Sequence, residues 1–465
     1  MNLIFWQIIQ VQAAPFILQV KNRDLIVKGK KSQVFEIVQP NGIQGLFLQK
    51  GERFEVILEN QISQPTGVHW HGLILPNNQD GVPFVTQPPI PPGGKYTYNF
   101  PLVQAGTFWM HAHYGLQEQK LLAAPLILRD PSEKNAHLQD VLMFLSDFSF
   151  RQPSDIFKEL KEANKKKISH HHSQEVISAD LNDVQYDAFL TNWRTLSDPE
   201  VVRVTPDQEI RLRVINGSSS TNFFIQLGNL KGEVIATDGS ESQPFVGSIF
   251  ELGTAQRLDI RMKIPPGDHV YPIFAQGEGL KMRTGLLLAT PGTQIPIFEE
   301  IVDQPMGAFS YRQEFLLKAK TSLPKKEVDR RLVAHLDGDM MKYLWMINGR
   351  TWPQTNEPLW VKEGERVELA FINQTSMSHP MHLHGHVFQV TEIDGKPLEG
   401  ALRDTILVLP NSTVKVQFDA NHPGYWPLHC HNLYHLYAGM MTTLNYRGFN
   451  GLIFPKSEIE QEEGN

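Results

Sequence analysis

The sequence predicts an all-β protein made of three repeated sandwich domains. Three observations carry this: a turn-rich composition, alternating strands, and one structural unit written three times. Among 465 residues Gly (34) and Pro (31) are frequent. Few stretches show a helical period, which favours short strands joined by turns. Hydrophobic residues make up 41% and charged residues 20%, the balance of a globular chain rather than a disordered or membrane-embedded one. The length exceeds one ordinary core and fits roughly three domains. A formal net charge of −7 gives no general attraction to nucleic acid or anionic lipid. No stretch is apolar for long enough to span a bilayer.

The repeated unit is seen in Leu46–Asn60, Val202–Asn216 and Leu359–Asn373. Each reads as a strand, a polar turn and an alternating strand ending at Asn, the pattern of half-buried strands in a sandwich. The spacing of about 155 residues matches a domain rather than a solenoid repeat. The outer copies stay in step beyond the Asn. His69 follows Asn60 by nine residues, as His382 follows Asn373. His111 follows Phe100 by eleven, as His429 follows Phe418. Aromatic strands precede both second sites, Gly106-Thr-Phe-Trp109 and Gly424-Tyr-Trp426. The middle copy keeps the strand Gly267–Ala275 without a histidine pair and reads as a spacer.

These landmarks divide the chain into domains at 14–150, 180–304 and 305–450. Residues 1–13, ending in Val11-Gln12-Ala13, predict a short export signal and a periplasmic or secreted protein. Residues 151–179 predict a linker with a short helix and a loop holding His170, His171 and His172. That loop reads as solvated polar chain, with a surface copper site as the sharper alternative. Residues 451–465 form an acidic tail expected to fray.

Ten of the eighteen histidines fall in four clusters: His69-Trp-His71, His111-Ala-His113, His379-Pro-Met-His382-Leu-His384 and His429-Cys430-His431 with His435. On a strand, residues i and i+2 share a face, so each His-x-His presents two imidazoles side by side. Four pairs supply eight imidazoles, enough to surround three metal ions if the outer domains face each other. Cys430, the only cysteine, points away from its flanking histidines. With His379, His435 and Met440 it completes a His₂Cys set with a weak axial Met, the donor set of an electron-transfer copper centre. A lone strand histidine is usually structural, but four pairs at matching places in two repeats are not explained that way. Zinc uses four tetrahedral ligands and gains nothing from eight facing imidazoles or an axial Met.

These motifs closely resemble those of the three-domain multicopper oxidases, the family of laccases and copper-resistance oxidases, over nearly the whole chain. The resemblance implies three cupredoxin-like Greek-key β-sandwiches and four copper ions. It places the type 1 copper on His379, Cys430, His435 and Met440, and the type 2 copper on His69 and His382. The type 3 pair falls on His71, His111, His113, His384, His429 and His431, with His386 a non-ligand. The implied reaction is one-electron oxidation of a phenolic or aromatic compound, or of a metal ion such as Cu(I), coupled to four-electron reduction of O2 to water. The alternative is a non-enzymatic copper-sequestering protein. Gly115-Leu-Gln-Glu-Gln119, Leu145-Ser-Asp-Phe-Ser149 and Asn348-Gly-Arg-Thr-Trp-Pro353 resemble the copper-resistance protein A branch, whose Met-rich repeats are absent. Exposed Met377 and Met381 could favour a soft Cu(I) ion, or serve only as packing. Relatives of this size are commonly monomers.

Water formation in a buried site needs protons, and hence a carboxylate nearby. Asp80, in Asn77-Asn-Gln-Asp80-Gly81, matches the family's acid near the type 2 copper. The same Asp-Gly pair also reads as an ordinary turn. Leu436 stands where several bacterial relatives carry a second acid, which leaves Glu118 as a candidate substitute.

Overall fold

The computed structural model describes residues 14–135, 138–168, 181–339, 342–452 and 454. The export segment 1–13, the loop with His170–His172 and most of the acidic tail lie outside these residues. Six sheets pair into three β-sandwiches in chain order. The strands form because their apolar residues alternate: in Arg53–Asn60, Phe54, Val56 and Leu58 are buried between partly exposed neighbours. Aromatic contacts close the space between sheets. Trp70 on one sheet of the first sandwich meets Phe54 and Tyr98 on the other, at ring distances of 4.7 and 4.9 Å.

The repeat is a strand switch between sheets. Its first strand (Leu46–Gln49, Val201–Arg203, Leu359–Val361) runs parallel to the last strand of its sandwich. Its second strand (Arg53–Asn60, Glu209–Asn216, Arg366–Asn373) joins the opposite sheet between a parallel and an antiparallel neighbour. The turn between them needs positive φ at one position, filled by Gly51 (90°), Asp207 (62°) and Gly364 (84°), residue types that tolerate the left-handed region. The terminal Asn is buried in all three copies. Its side-chain nitrogen donates to carbonyls of the following loop and a nearby strand or loop, such as Gln64 and Ile90 for Asn60, or Met377 and Val408 for Asn373. Its side-chain oxygen accepts from the backbone N–H two residues on, at Ile62, Ser218 and Thr375. That double role pins the loop entering each face of the sandwich.

Strand Gln139–Phe148 differs from the sequence division, which keeps residues up to 150 in the first domain. It hydrogen-bonds parallel to Glu209–Asn216, within the middle sandwich. The following helix, Pro153–Ile168, is therefore an excursion between two neighbouring strands of one sheet, Gln139–Phe148 and Ala188–Thr191. That stretch is thus not a domain seam. The helix lays Phe157 against Tyr343 and Tyr437 of the third sandwich, at ring distances of 6.1 and 4.8 Å.

Candidate metal centres

Strand register brings the histidine pairs together. Val68–His71 pairs with Gly106–Ala112 so that His69 lies opposite His111. In the third sandwich His382 lies opposite His429, and Met381 opposite Cys430. The two arrays face each other across the interface between these sandwiches. Across it the Nε2 atoms of His111 and His431 approach to 3.3 Å and those of His113 and His429 to 3.4 Å, while within the third sandwich those of His384 and His429 lie 2.9 Å apart. Donor atoms gather into three groups: His69, His71 and His382; His71, His111 and His431; and His113, His384 and His429. Burial first, then neighbouring charge, holds His71, His111, His113, His382, His384 and His431 well below the ordinary imidazole value, and His429 at about 4. They are neutral donors.

In three of these rings one nitrogen is occupied and the other is not. His69 Nδ1 donates to the Asp80 carbonyl at 3.0 Å, and His382 Nδ1 to the Asp404 carbonyl at 2.8 Å. His71 is reversed: its Nε2 meets Asp404 Oδ1 at 3.0 Å. That leaves His69 Nε2, His382 Nε2 and His71 Nδ1 buried without partners. A buried orphan nitrogen is costly unless something binds it. Three of them converging, each on a ring fixed by an outer hydrogen bond, is the pattern of metal-ligating histidine.

A second group holds His379, Cys430 and His435. Cys430 Sγ lies 3.6 Å from Nδ1 of each histidine, and these two nitrogens are 3.1 Å apart. The far nitrogens are again engaged, His379 with Thr375 Oγ1 and His435 with Asp183 Oδ2, both at 2.8 Å. Met440 is buried and tied in through its backbone, its carbonyl accepting from Cys430 N and its N–H donating to His435 O. Burial raises the Cys430 thiol above its ordinary value, so the thiolate forms when a cation replaces the proton. A thiolate with two imidazoles suits copper.

Asp80 is both a turn residue and a site residue. A Cβ at Gly81, whose φ is 84°, would lie 1.8 Å from the Val68 carbonyl oxygen. Glycine lets the turn press Asp80 against the strand bearing His69. Asp80 Oδ2 meets His384 Nδ1 at 2.9 Å, and Oδ1 lies buried without a hydrogen-bond partner. Glu118 is also buried, with Oε2 2.8 Å from His111 Nδ1 and Oε1 4.0 Å from His431 Nδ1, without a hydrogen bond. Burial and then the Asp147 carboxylate raise it well above the usual carboxylate range. It borders a cavity of about 80 Å³ shared with His113, His429, Val82, Leu436 and Met441.

Sequence reasoning did not find Asp183, Thr375, Asp404 or Arg257, since isolated polar residues carry no spacing signal. Met377 and Met381 are buried rather than exposed, because the latter sits on an interior strand. Neither offers a surface thioether to an ion. His386 has both nitrogens engaged, with the His384 carbonyl and the Tyr446 hydroxyl.

Sequence models of the multicopper oxidase family match residues 20–133, 139–294 and 327–448. The multicopper oxidase MmcO of Mycobacterium tuberculosis is 34% identical over 407 residues, covering 85% of this chain and 80% of the relative. Copper resistance protein A of Escherichia coli is 25% identical, with 92% of each chain covered. Among solved structures, Fet3p, a multicopper oxidase that functions in iron import, superposes with a TM-score of 0.78 at 22% identity, covering 93% of this chain and 90% of its own. The laccase of Botrytis aclada does so with a TM-score of 0.76 at 21% identity, covering 96% and 89%. With three family matches in chain order and facing imidazole arrays beside a His₂Cys group, the chain belongs to the multicopper oxidases, oxidoreductases that use four copper ions and dioxygen.

Proposed function

We propose that His379, Cys430, His435 and Met440 hold the type 1 copper, and that His69 and His382 hold the type 2 copper. His71, His111, His113, His384, His429 and His431 then hold the type 3 pair. The carrying observation is the convergence of three orphaned, otherwise fixed imidazole nitrogens between the outer sandwiches. Copper bound there supplies one-electron uptake at the thiolate and four-electron reduction of O2 to water at the cluster.

The chain's own groups supply the route and the protons. Cys430 is bonded through the backbone to His429 and His431, a short path between the centres. Both type 1 imidazoles are buried, and Asp183 covers the far edge of His435 while accepting a 2.5 Å hydrogen bond from Tyr343. A donor therefore passes its electron through this carboxylate edge rather than by stacking on the ring. The Asp183 side chain is itself nearly buried, so among the described residues no side chain at this edge favours one donor class. Both a metal ion such as Cu(I) and small phenolic or aromatic donors remain within the reaction class. Asp80 is the proton-holding acid on the side of His69 and His384. Glu118 serves the opposite side, where Leu436 in the same cavity cannot. The domain seams we propose lie between 130 and 139 and between 290 and 330. The working unit we propose is a monomer, as is common for relatives of this size. The N-terminal segment supports export to the periplasm or exterior, and among the described residues no helix is long and apolar enough to cross a membrane.

Oxygen uptake by the copper-loaded protein with a generic one-electron donor, with peroxide assayed in the same cell, tests this reading. Uptake without peroxide is the expected result. A blue, fully loaded protein that consumes no oxygen would overturn it.

A further inference from the structure

Among the described residues the middle sandwich carries none of the clustered donors, yet one of its side chains bonds to elements from both halves of the cluster. Arg257 begins strand Arg257–Lys263 and is fully buried. Its Nη1 and Nη2 donate to Asp404 Oδ1 and Oδ2 at 2.8 and 2.6 Å, a bidentate pair. Its Nε donates to the carbonyl of Thr107, on the strand that carries His111. The adjacent Gln256 donates to the carbonyl of Thr405, so two consecutive middle-sandwich residues grip the Asp404-Thr405 step.

That step shapes two of the proposed ligands. Asp404 Oδ1 faces His71 Nε2, and the Asp404 carbonyl accepts from His382 Nδ1. Gly72, directly after His71, leaves the room for the pair: a Cβ there would lie 2.5 Å from both Arg257 Nη2 and Asp404 Oδ2. Without the guanidinium fork, Thr405 Oγ1, which donates to Asp404 Oδ1 at 2.9 Å and lies 3.2 Å from His71 Nε2, would alone restrain that oxygen, and the ring could turn its Nδ1 off the cluster.

We propose that Arg257 is a positioning residue of the trinuclear centre: its guanidinium locks Asp404 so that His71 donates from Nε2 and offers Nδ1 to copper. The inference rests on His71 being a cluster ligand. In this arrangement the middle sandwich is more than a spacer, since it fixes one wall of a centre to which it gives no ligand.

The test is copper content and paramagnetic resonance of Arg257→Lys, which keeps the charge but not the fork, and of Arg257→Met. His71→Ala is measured in parallel. Both Arg257 variants should keep the blue type 1 absorbance and hold cluster copper about ten- to a hundredfold more weakly against a chelator, the usual range for an outer partner of a metal ligand. Loss of one ion from the coupled pair should also make its neighbour visible by resonance. Since Arg257→Met leaves a buried carboxylate uncompensated, Arg257→Met/Asp404→Asn removes that charge and keeps an acceptor. The deficit should persist there. Normal copper affinity and spectrum in the Arg257 variants, recovery in the double variant, or equal loss of type 1 copper would each overturn the proposal. If His71→Ala also keeps all four coppers, the ligand assignment itself fails.

Discussion

The two metal centres are assembled in opposite ways. The thiolate centre comes from one sandwich, and three of its donors, Cys430, His435 and Met440, lie within a single short segment. The imidazole cluster is split between the first and third sandwiches, with outer partners from the first, middle and third. The first is therefore a local property of one fold, and the second a property of how folds are placed. A change in packing between the first and third sandwiches should reach the cluster and spare the blue site, whose outer partner from another sandwich, Asp183, comes from the middle segment.

The sharpest way to break that comparison is Cys430→Ser. It should abolish the blue absorbance and turnover while three coppers per chain remain, as read by metal quantitation. Loss of cluster copper too would show that the centres are not independent. Next is Asp80→Asn, which should slow O2 reduction by about 10²- to 10⁴-fold, the usual worth of a positioned acid. Anaerobic bleaching of the type 1 colour should be unchanged, and unchanged turnover would remove Asp80 from proton supply. Asp183→Asn addresses the other centre: reduction of the blue site should slow about ten- to a hundredfold in stopped flow, with reoxidation by O2 unaffected.

Acid should separate apo from loaded protein. His429 titrates from about 4 when folded, against an ordinary value of 6.5, because burial disfavours its charged form. The unfolded chain thus binds more protons below 6.5, and stability falls as pH drops from 6.5 toward 4. Thermal melts should show this loss in the metal-free protein and less of it with copper bound, since copper competes with the proton. Melts that track each other across this range would contradict the ligand assignment. The smallest effect compares one repeat position in two settings. Asn216→Ala and Asn373→Ala should each cost about 1–3 kcal/mol for the buried groups left unpaired. Only Asn373→Ala should also shift the blue spectrum, because the loop that Asn373 pins carries Thr375, the partner of His379.

Much of this was legible in one dimension. The strand-turn-strand-Asn repeat and the His-x-His pairs are periodic features, and periodicity survives in a sequence. Cys430 between two histidines carries its own geometry, since alternation alone sends it to the opposite face. What could not be read was long-range pairing of single residues. Arg403-Asp404 looks like a solvated charge pair, yet both are buried and Asp404 meets an arginine 147 residues away. Asp183 lies 252 residues from His435. Alternation reports that strand Gln139–Phe148 is half-buried, not which sheet it joins, so the sequence division ends the first domain at 150 while the strand's hydrogen bonds lie in the middle sandwich.

The separation of the cluster's halves also bears on biosynthesis. Asp80 and its partner His384 are 304 residues apart, and His111 and His431 are 320 apart. At about 5–20 residues per second, a ribosome needs on the order of 15–60 seconds to span such a gap. During that interval the first sandwich can be complete while its histidines have no opposing array. Metal insertion into the cluster is therefore a late maturation step, open only once the whole polypeptide has been made and its ends have met.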